Sequence, residues 1–139
     1  MVDNDPYKSV AVQVQKKTNK MTANISVFTG KEQAVRSQKY AMRYFIDSYL
    51  SYTVSKRIAL MGLCDVGYQN SFWYISMIMA KYMPYKNMFI TGRVEYAHDK
   101  DNIVFSEYMG SKTIIAYSCG VDYWVYKNLL IRGEVRQVS

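Results

Sequence analysis

Polar and apolar residues alternate along most of this chain, one residue at a time. Between positions 43 and 54, one set is Arg43, Phe45, Asp47, Tyr49, Ser51 and Thr53, and the other is Tyr44, Ile46, Ser48, Leu50, Tyr52 and Val54. The second set is the more apolar and carries no charge. Side chains two apart share a face of a strand, so the pattern predicts a strand with one apolar and one wet face. The split recurs downstream. Ile58, Leu60, Gly62, Cys64, Val66 and Tyr68 oppose Arg57, Ala59, Met61, Leu63, Asp65 and Gly67. Ile90, Gly92, Val94 and Tyr96 oppose Thr91, Arg93 and Glu95. Thr113, Ile115, Tyr117, Cys119, Val121 and Tyr123 oppose Lys112, Ser118 and Asp122. Leu129, Ile131, Gly133 and Val135 oppose Arg132, Glu134 and Arg136. Near the start, Val10, Val12 and Val14 alternate with Ser9, Ala11, Gln13 and Gln15, as do Ala23, Ile25 and Val27 with Thr22, Asn24 and Ser26. About eight strands result, of the length usual for antiparallel pairing. The expected fold is all-β, an antiparallel up-and-down meander forming a transmembrane β-barrel or a segment of a larger one. One stretch fits poorly: Trp73, Ile75, Met77 and Met79 fall on the same face as Lys81. Periodicity gives no account of that; a place where the polar side is packed rather than open would explain it.

The connections alternate as well. "KKTNK", "VSKR", "MPYKN" and "VYKN" are short and polar, whereas "GKEQAVRSQ" and "HDKDNIVFSEYMGS" are long; "QNS" departs from the rule. Short and long ends alternating along a meander is the pattern of an outer-membrane barrel. A "VSK" link would set Leu50 opposite Leu60 and Tyr52 opposite Ile58. A three-residue "YKN" link would set Val125 opposite Leu129, Tyr123 opposite Ile131, and Asp122 opposite Arg132. A one-residue slip would turn apolar residues to the wet side, which is why face matching sets register.

Tyrosine sharpens the picture, with 14 residues in 139. On the apolar face, Tyr44 and Tyr52 bracket one strand and Tyr74 and Tyr82 another at the same spacing. Tyr68 and Tyr96 fall at the long-loop end and Tyr123 at the short-turn end. Eight residues rising about 3.3 Å each, tilted about 40°, span roughly 20 Å along a membrane normal. That is close to the apolar band of a membrane barrel, and these seven tyrosines are the expected interface aromatics. A soluble β-sandwich would also alternate its charges. The paired tyrosines favour the barrel, because a hydroxyl on an aromatic body suits an interface. In that case Asp47 points to a wet interior while Tyr44, Ile46, Leu50 and Tyr52 face lipid.

The net charge is +7, but Lys and Arg are scattered, so a solvated basic protein is expected rather than a nucleic-acid binder. Cys64 and Cys119 lie apart, without metal-ligand spacing, and read as small apolar residues. No stretch is long and apolar enough for a membrane-spanning helix, which excludes only a helical membrane protein. The opening "MVDNDPYKS" lacks the apolar segment of a signal peptide.

"RYFIDSYL", "DVGYQ", the "WY…AKY" pair, "GRVEYAHDKD" and "VDYWVYKNLLIRGEVR", with the earlier "NISVFTGKEQ", together resemble the OmpL-like β-barrel porins of the bacterial outer membrane. The resemblance covers nearly the whole chain and rests on the order and spacing of these pieces. It implies a longer protein with a signal peptide, further N-terminal strands and a final aromatic-ended strand. The chain, one porin-like domain over residues 1–139, therefore looks like a C-terminal portion that lacks its last strand.

No catalytic constellation is visible, and no enzyme activity or cofactor is expected. The single histidine, His98, sits beside Asp99 in "AHDKDN" and reads as part of a polar loop tip rather than a metal ligand. Asp47, Asp65, Glu95, Asp122 and Glu134 share their face with Arg and Lys, and ion pairing accounts for them without acid–base chemistry. The leading reading is a porin for passive diffusion of small hydrophilic solutes, its lumen lined by Arg43, Asp47, Asp65, Lys81, Arg93, Glu95, Asp122, Arg132, Glu134 and Arg136. The expected partners are outer-membrane lipid, the solutes, and either the missing strands of a longer barrel or further copies of the chain. Two alternatives stay open: a soluble β-barrel holding a small apolar ligand, and a basic tyrosine-rich sheet binding single-stranded nucleic acid.

Overall fold

The computed structural model describes residues 7–33, 39–104 and 113–139. Eight strands follow one another: β1 (Ser9–Lys17), β2 (Met21–Gln33), β3 (Tyr40–Thr53), β4 (Ile58–Tyr68), β5 (Phe72–Tyr85), β6 (Met88–Asp99), β7 (Thr113–Tyr126) and β8 (Leu129–Val138). They form one antiparallel sheet in sequence order, β1 to β8. The meander expected from alternation is therefore present, and no described residue is helical. The sheet is open, with β1 and β8 as its edges. Residues 34–38 of the first long connection and 105–112 of the second, Lys112 included, lie outside the described residues.

Each of the four short connections is a two-residue loop. Thr18 N–H donates to the Met21 carbonyl (2.7 Å) and closes Asn19–Lys20; Ser55 and Ile58 exchange hydrogen bonds (3.1 and 3.4 Å) around Lys56–Arg57. Tyr85 pairs with Met88 around Lys86–Asn87, and Tyr126 with Leu129 around Lys127–Asn128. Two-residue loops match the twist of the flanking strands, which is why hairpins favour them. Before the last three loops the register shifts. Ser55 meets Ile58 although Thr53 pairs with Ala59, and the ladder slips between Tyr82 and Tyr85 and between Trp124 and Tyr126. This changes two expected registers. Leu50 pairs with Gly62 and Tyr52 with Leu60, two residues from the expected partners, so the faces are kept. Tyr126, not Val125, pairs with Leu129, because Val125 is the extra residue of a bulge. Tyr123–Ile131 and Asp122–Arg132 pair as expected.

The loops are also stitched sideways. Thr53, Met83 and Trp124 N–H groups donate to the Lys20, Arg57 and Asn87 carbonyls at 2.7–2.8 Å, so each short turn extends the ladder to the next hairpin. Satisfying these backbone groups keeps the short-turn end regular.

Among the described residues, the single sheet has no second layer to pack against, and fully enclosed apolar side chains are few: Trp73, Ala97, Ile103 and Ala116.

Candidate functional site

Register assigns every predicted charged residue to one side of the sheet. Asp47 pairs with Asp65, Met79 with Arg93 and Met77 with Glu95. Ser118 joins Arg93 to Arg136, Gly120 joins Thr91 to Glu134, and Asp122 joins Phe89 to Arg132. With Arg43, which pairs with Gly30, and Lys81, between Ala59 and Thr91, all ten share this polar face. The other face carries Tyr44, Tyr52, Tyr68, Tyr74, Tyr82, Tyr96 and Tyr123 together, and from β3 to β8 it has no Asp, Glu, Lys or Arg. Most of its large apolar side chains are exposed: Ile78 is 69% exposed and Val135 78%.

The polar face is not uniform. On β6 to β8 its charges form a ladder. Arg93 Nε lies 3.3 Å from Glu95 Oε1, its Nη2 donates to Glu134 Oε1 at 3.2 Å, and Arg136 Nη2 donates to Glu95 Oε2 at 2.5 Å. Arg132 grips Asp122 with two parallel hydrogen bonds, at 2.7 and 2.9 Å. Planar guanidinium groups form such forks with carboxylates, and the fork fixes geometry as well as charge. Lys81 holds its ammonium 4.1 Å over the Phe89 ring.

On β3 and β4 the expectation of ion pairing fails. Asp47 and Asp65 face each other directly across the ladder. Asp47 Oδ2 accepts from Asn24 Nδ2 (3.2 Å) and Ser26 Oγ (3.3 Å), while Asp65 Oδ1 is buried without a hydrogen-bond partner. The nearest described arginine on that strand, Arg43, is spent elsewhere. It donates from Nε and Nη2 to Gln69 Oε1 at 3.0 and 2.8 Å, and Gln69 Nε2 donates to the Glu32 and Ala41 carbonyls. Gln69 is fully enclosed, so Arg43 acts as a strut for the β4–β5 turn. Asn70 in that turn takes φ of 64°, a conformation asparagine tolerates.

At the same end the misfit in β5 finds its reason. Trp73 lies flat across Gly67, where an added Cβ would sit 2.2 Å from its Cε2 and Cζ2. The indole meets Phe45 at 5.9 Å between ring centroids, and Phe45 meets Phe28 at 5.1 Å. Ile103 and Val104, following β6, fold back onto this aromatic floor beside Ile75. Asp99, which is enclosed, holds that fold-back by accepting from the Ile103 and Val104 amides at 2.9 and 2.7 Å. Trp73 and Ile75 are thus packed by the connection. Met77 and Met79 stand in line with the Arg93–Glu95 ladder. Alternation does not distinguish Gln69, Asp99 or Asn24 from other polar residues. Asp99 alone left a signal, an aspartate three residues before Asn102 (φ 53°) in a turn.

His98 is not at a loop tip. It belongs to β6, on the apolar face, opposite Tyr74 and Thr113. Its ring stacks on Tyr74 at 5.4 Å and Nδ1 lies 3.0 Å from Thr113 Oγ1. Tyr74 and Tyr96 touch through their hydroxyls at 3.4 Å, extending an aromatic rim with Tyr44, Tyr68 and Phe72 at the long-loop end. Cys64 and Cys119 are free thiols, and both lie on the apolar face.

No curated protein and no solved structure matches the chain. A protein-family comparison does: the family described as "Putative beta-barrel porin-2, OmpL-like" matches residues 1–139, and with its full length covered, this chain belongs to that family of β-barrel porins.

Proposed function

We propose that the chain forms wall of an outer-membrane porin, through which small hydrophilic solutes diffuse passively. One observation carries this reading: the same sheet puts all ten predicted charged residues on one face and, from β3 to β8, no Asp, Glu, Lys or Arg on the other. A soluble β-sandwich or closed binding barrel covers its apolar face with a second layer or its own interior. Here the apolar face is open across the sheet and rimmed by aromatic residues at the long-loop end. Such a face matches lipid, and a face of mixed charge matches a water-filled lumen whose transverse field sorts solutes. Edges β1 and β8 present unpaired backbone groups. They receive further strands of a longer barrel or strands of another copy, because backbone groups left unpaired in hydrocarbon are costly.

The test is reconstitution. The protein should need detergent for extraction, co-float with lipid vesicles, and show stepwise ohmic conductance in planar bilayers. Recovery in the aqueous fraction after salt and carbonate washing, with no conductance, would sink the reading.

A further inference from the structure

We propose that the polar face carries a binding site for a small oxyanion, a carboxylate or phosphate solute, in the hollow between Lys81, Arg93 and Arg132. The site deepens the porin reading, since it requires this face to be wet. The hollow measures about 270 Å³ and spans β5 to β8, just below the usual size of pockets for drug-sized ligands. A lining position lacks a side chain. Gly120 stands in register between Thr91 and Glu134, and a Cβ there would come no nearer than 3.5 Å to any atom, the Gly133 carbonyl oxygen. The position can hold a side chain and does not.

Charge selects the ligand. Three cations and two carboxylates, Asp122 and Glu134, line the space. Both carboxylates are engaged: Asp122 gives both oxygens to Arg132, and Glu134 Oε1 accepts from Arg93. Lys81 has no carboxylate within ion-pair distance among the described residues, and its ammonium rests over the Phe89 ring. The lining is therefore one positive charge in excess, and that charge sits on the group with open donors. Thr91 and Ser118 add hydroxyls, while Met79 lines the space beside Lys81. Guanidinium and ammonium donors converging beside apolar walls favour an oxyanion over a cation or a neutral solute.

Binding is measured on the full chain refolded in detergent micelles, so that failure of conductance and failure of this site are separate results. Isotope-labelled protein is titrated with malonate, with inorganic phosphate, and with tetramethylammonium as a cationic control, while the amide signals of Thr91, Ser118 and Gly120 are followed. Saturable shifts with malonate, phosphate or both are expected, and whichever saturates identifies the oxyanion. Affinity should fall about tenfold in Lys81→Gln, which removes the charge at similar length. It should fall comparably in Gly120→Val, which fills the hollow and leaves every charge in place. Linear shifts without saturation, equal shifts with tetramethylammonium, or affinity unchanged in both variants would each overturn the site.

Discussion

Gly67→Ala should unseat Trp73. The added Cβ would lie 2.2 Å from two indole carbons and 2.6 Å from Nε1, so the ring must move. Its present position is 5% exposed. A tryptophan buries up to about 250 Å²; taking about 200 Å² as apolar and half of it re-exposed, the loss at 25 cal/mol/Å² is about 2.5 kcal/mol. One gain offsets part of this. Trp73 Nε1 is buried without a partner, and regaining water there returns about 1 kcal/mol. The net cost is about 1.5 kcal/mol, within the usual range for overpacking. The chain has two tryptophans, so the measurement is made in a Trp124→Phe background, where emission reports Trp73 alone. The variant should show red-shifted emission and a lower urea midpoint in lipid vesicles. Gly92→Ala is the control, because a Cβ at Gly92 meets nothing within 4 Å, and it should leave both unchanged. An unshifted spectrum with an unchanged midpoint in Gly67→Ala would refute the packing of Trp73 over Gly67.

Face assignment is checked by Val94→Arg against Ser118→Arg: the first should cost about 2–4 kcal/mol near the membrane midplane and the second far less, read from unfolding midpoints in vesicles; equal costs would mean that neither face meets lipid. Asp65→Asn removes one of two directly opposed like charges, which is stabilising by about 0.2–1 kcal/mol, and a clear drop in the unfolding midpoint would show that the carboxyl pair is held by something else. A double-mutant cycle on Asp122 and Arg132 should give a coupling of about 0.2–1 kcal/mol that shrinks in high salt; coupling that ignores salt would place the pair out of contact with water.

Much of this was legible along the chain. Strand identity and the side taken by each residue follow from period-two alternation, because successive side chains on a pleated strand point to opposite faces whatever their neighbours are. Asp122 and Arg132 could be paired from that parity and the nearness of the turn alone. The same parity survived a wrong partner for Leu50, since the actual register differs by two residues. The detailed geometry of the loops is not encoded in alternation. Two-residue loops preceded by extra residues displaced the expected pairs at both Thr53–Ile58 and Val125–Leu129.

What the pattern by itself determined about this protein is therefore one-dimensional: an antiparallel meander, a charged face and a tyrosine-bearing apolar face. Tertiary structure alone decided which charges meet. Arg43 bonds to Gln69 rather than to Asp47, although both lie on one face of one strand. Asp47 faces Asp65, and the ladder from Arg136 to Glu134 joins β6 to β8. Alternation cannot contain these facts, because it fixes the side of the sheet but not the neighbour across the strand. The same holds for Trp73, whose place on the polar face looked like an exception until Gly67 opened a space for it and Ile103 covered it. That fit depends on a glycine one strand away and a fold-back some thirty residues later, contacts which local sequence does not encode.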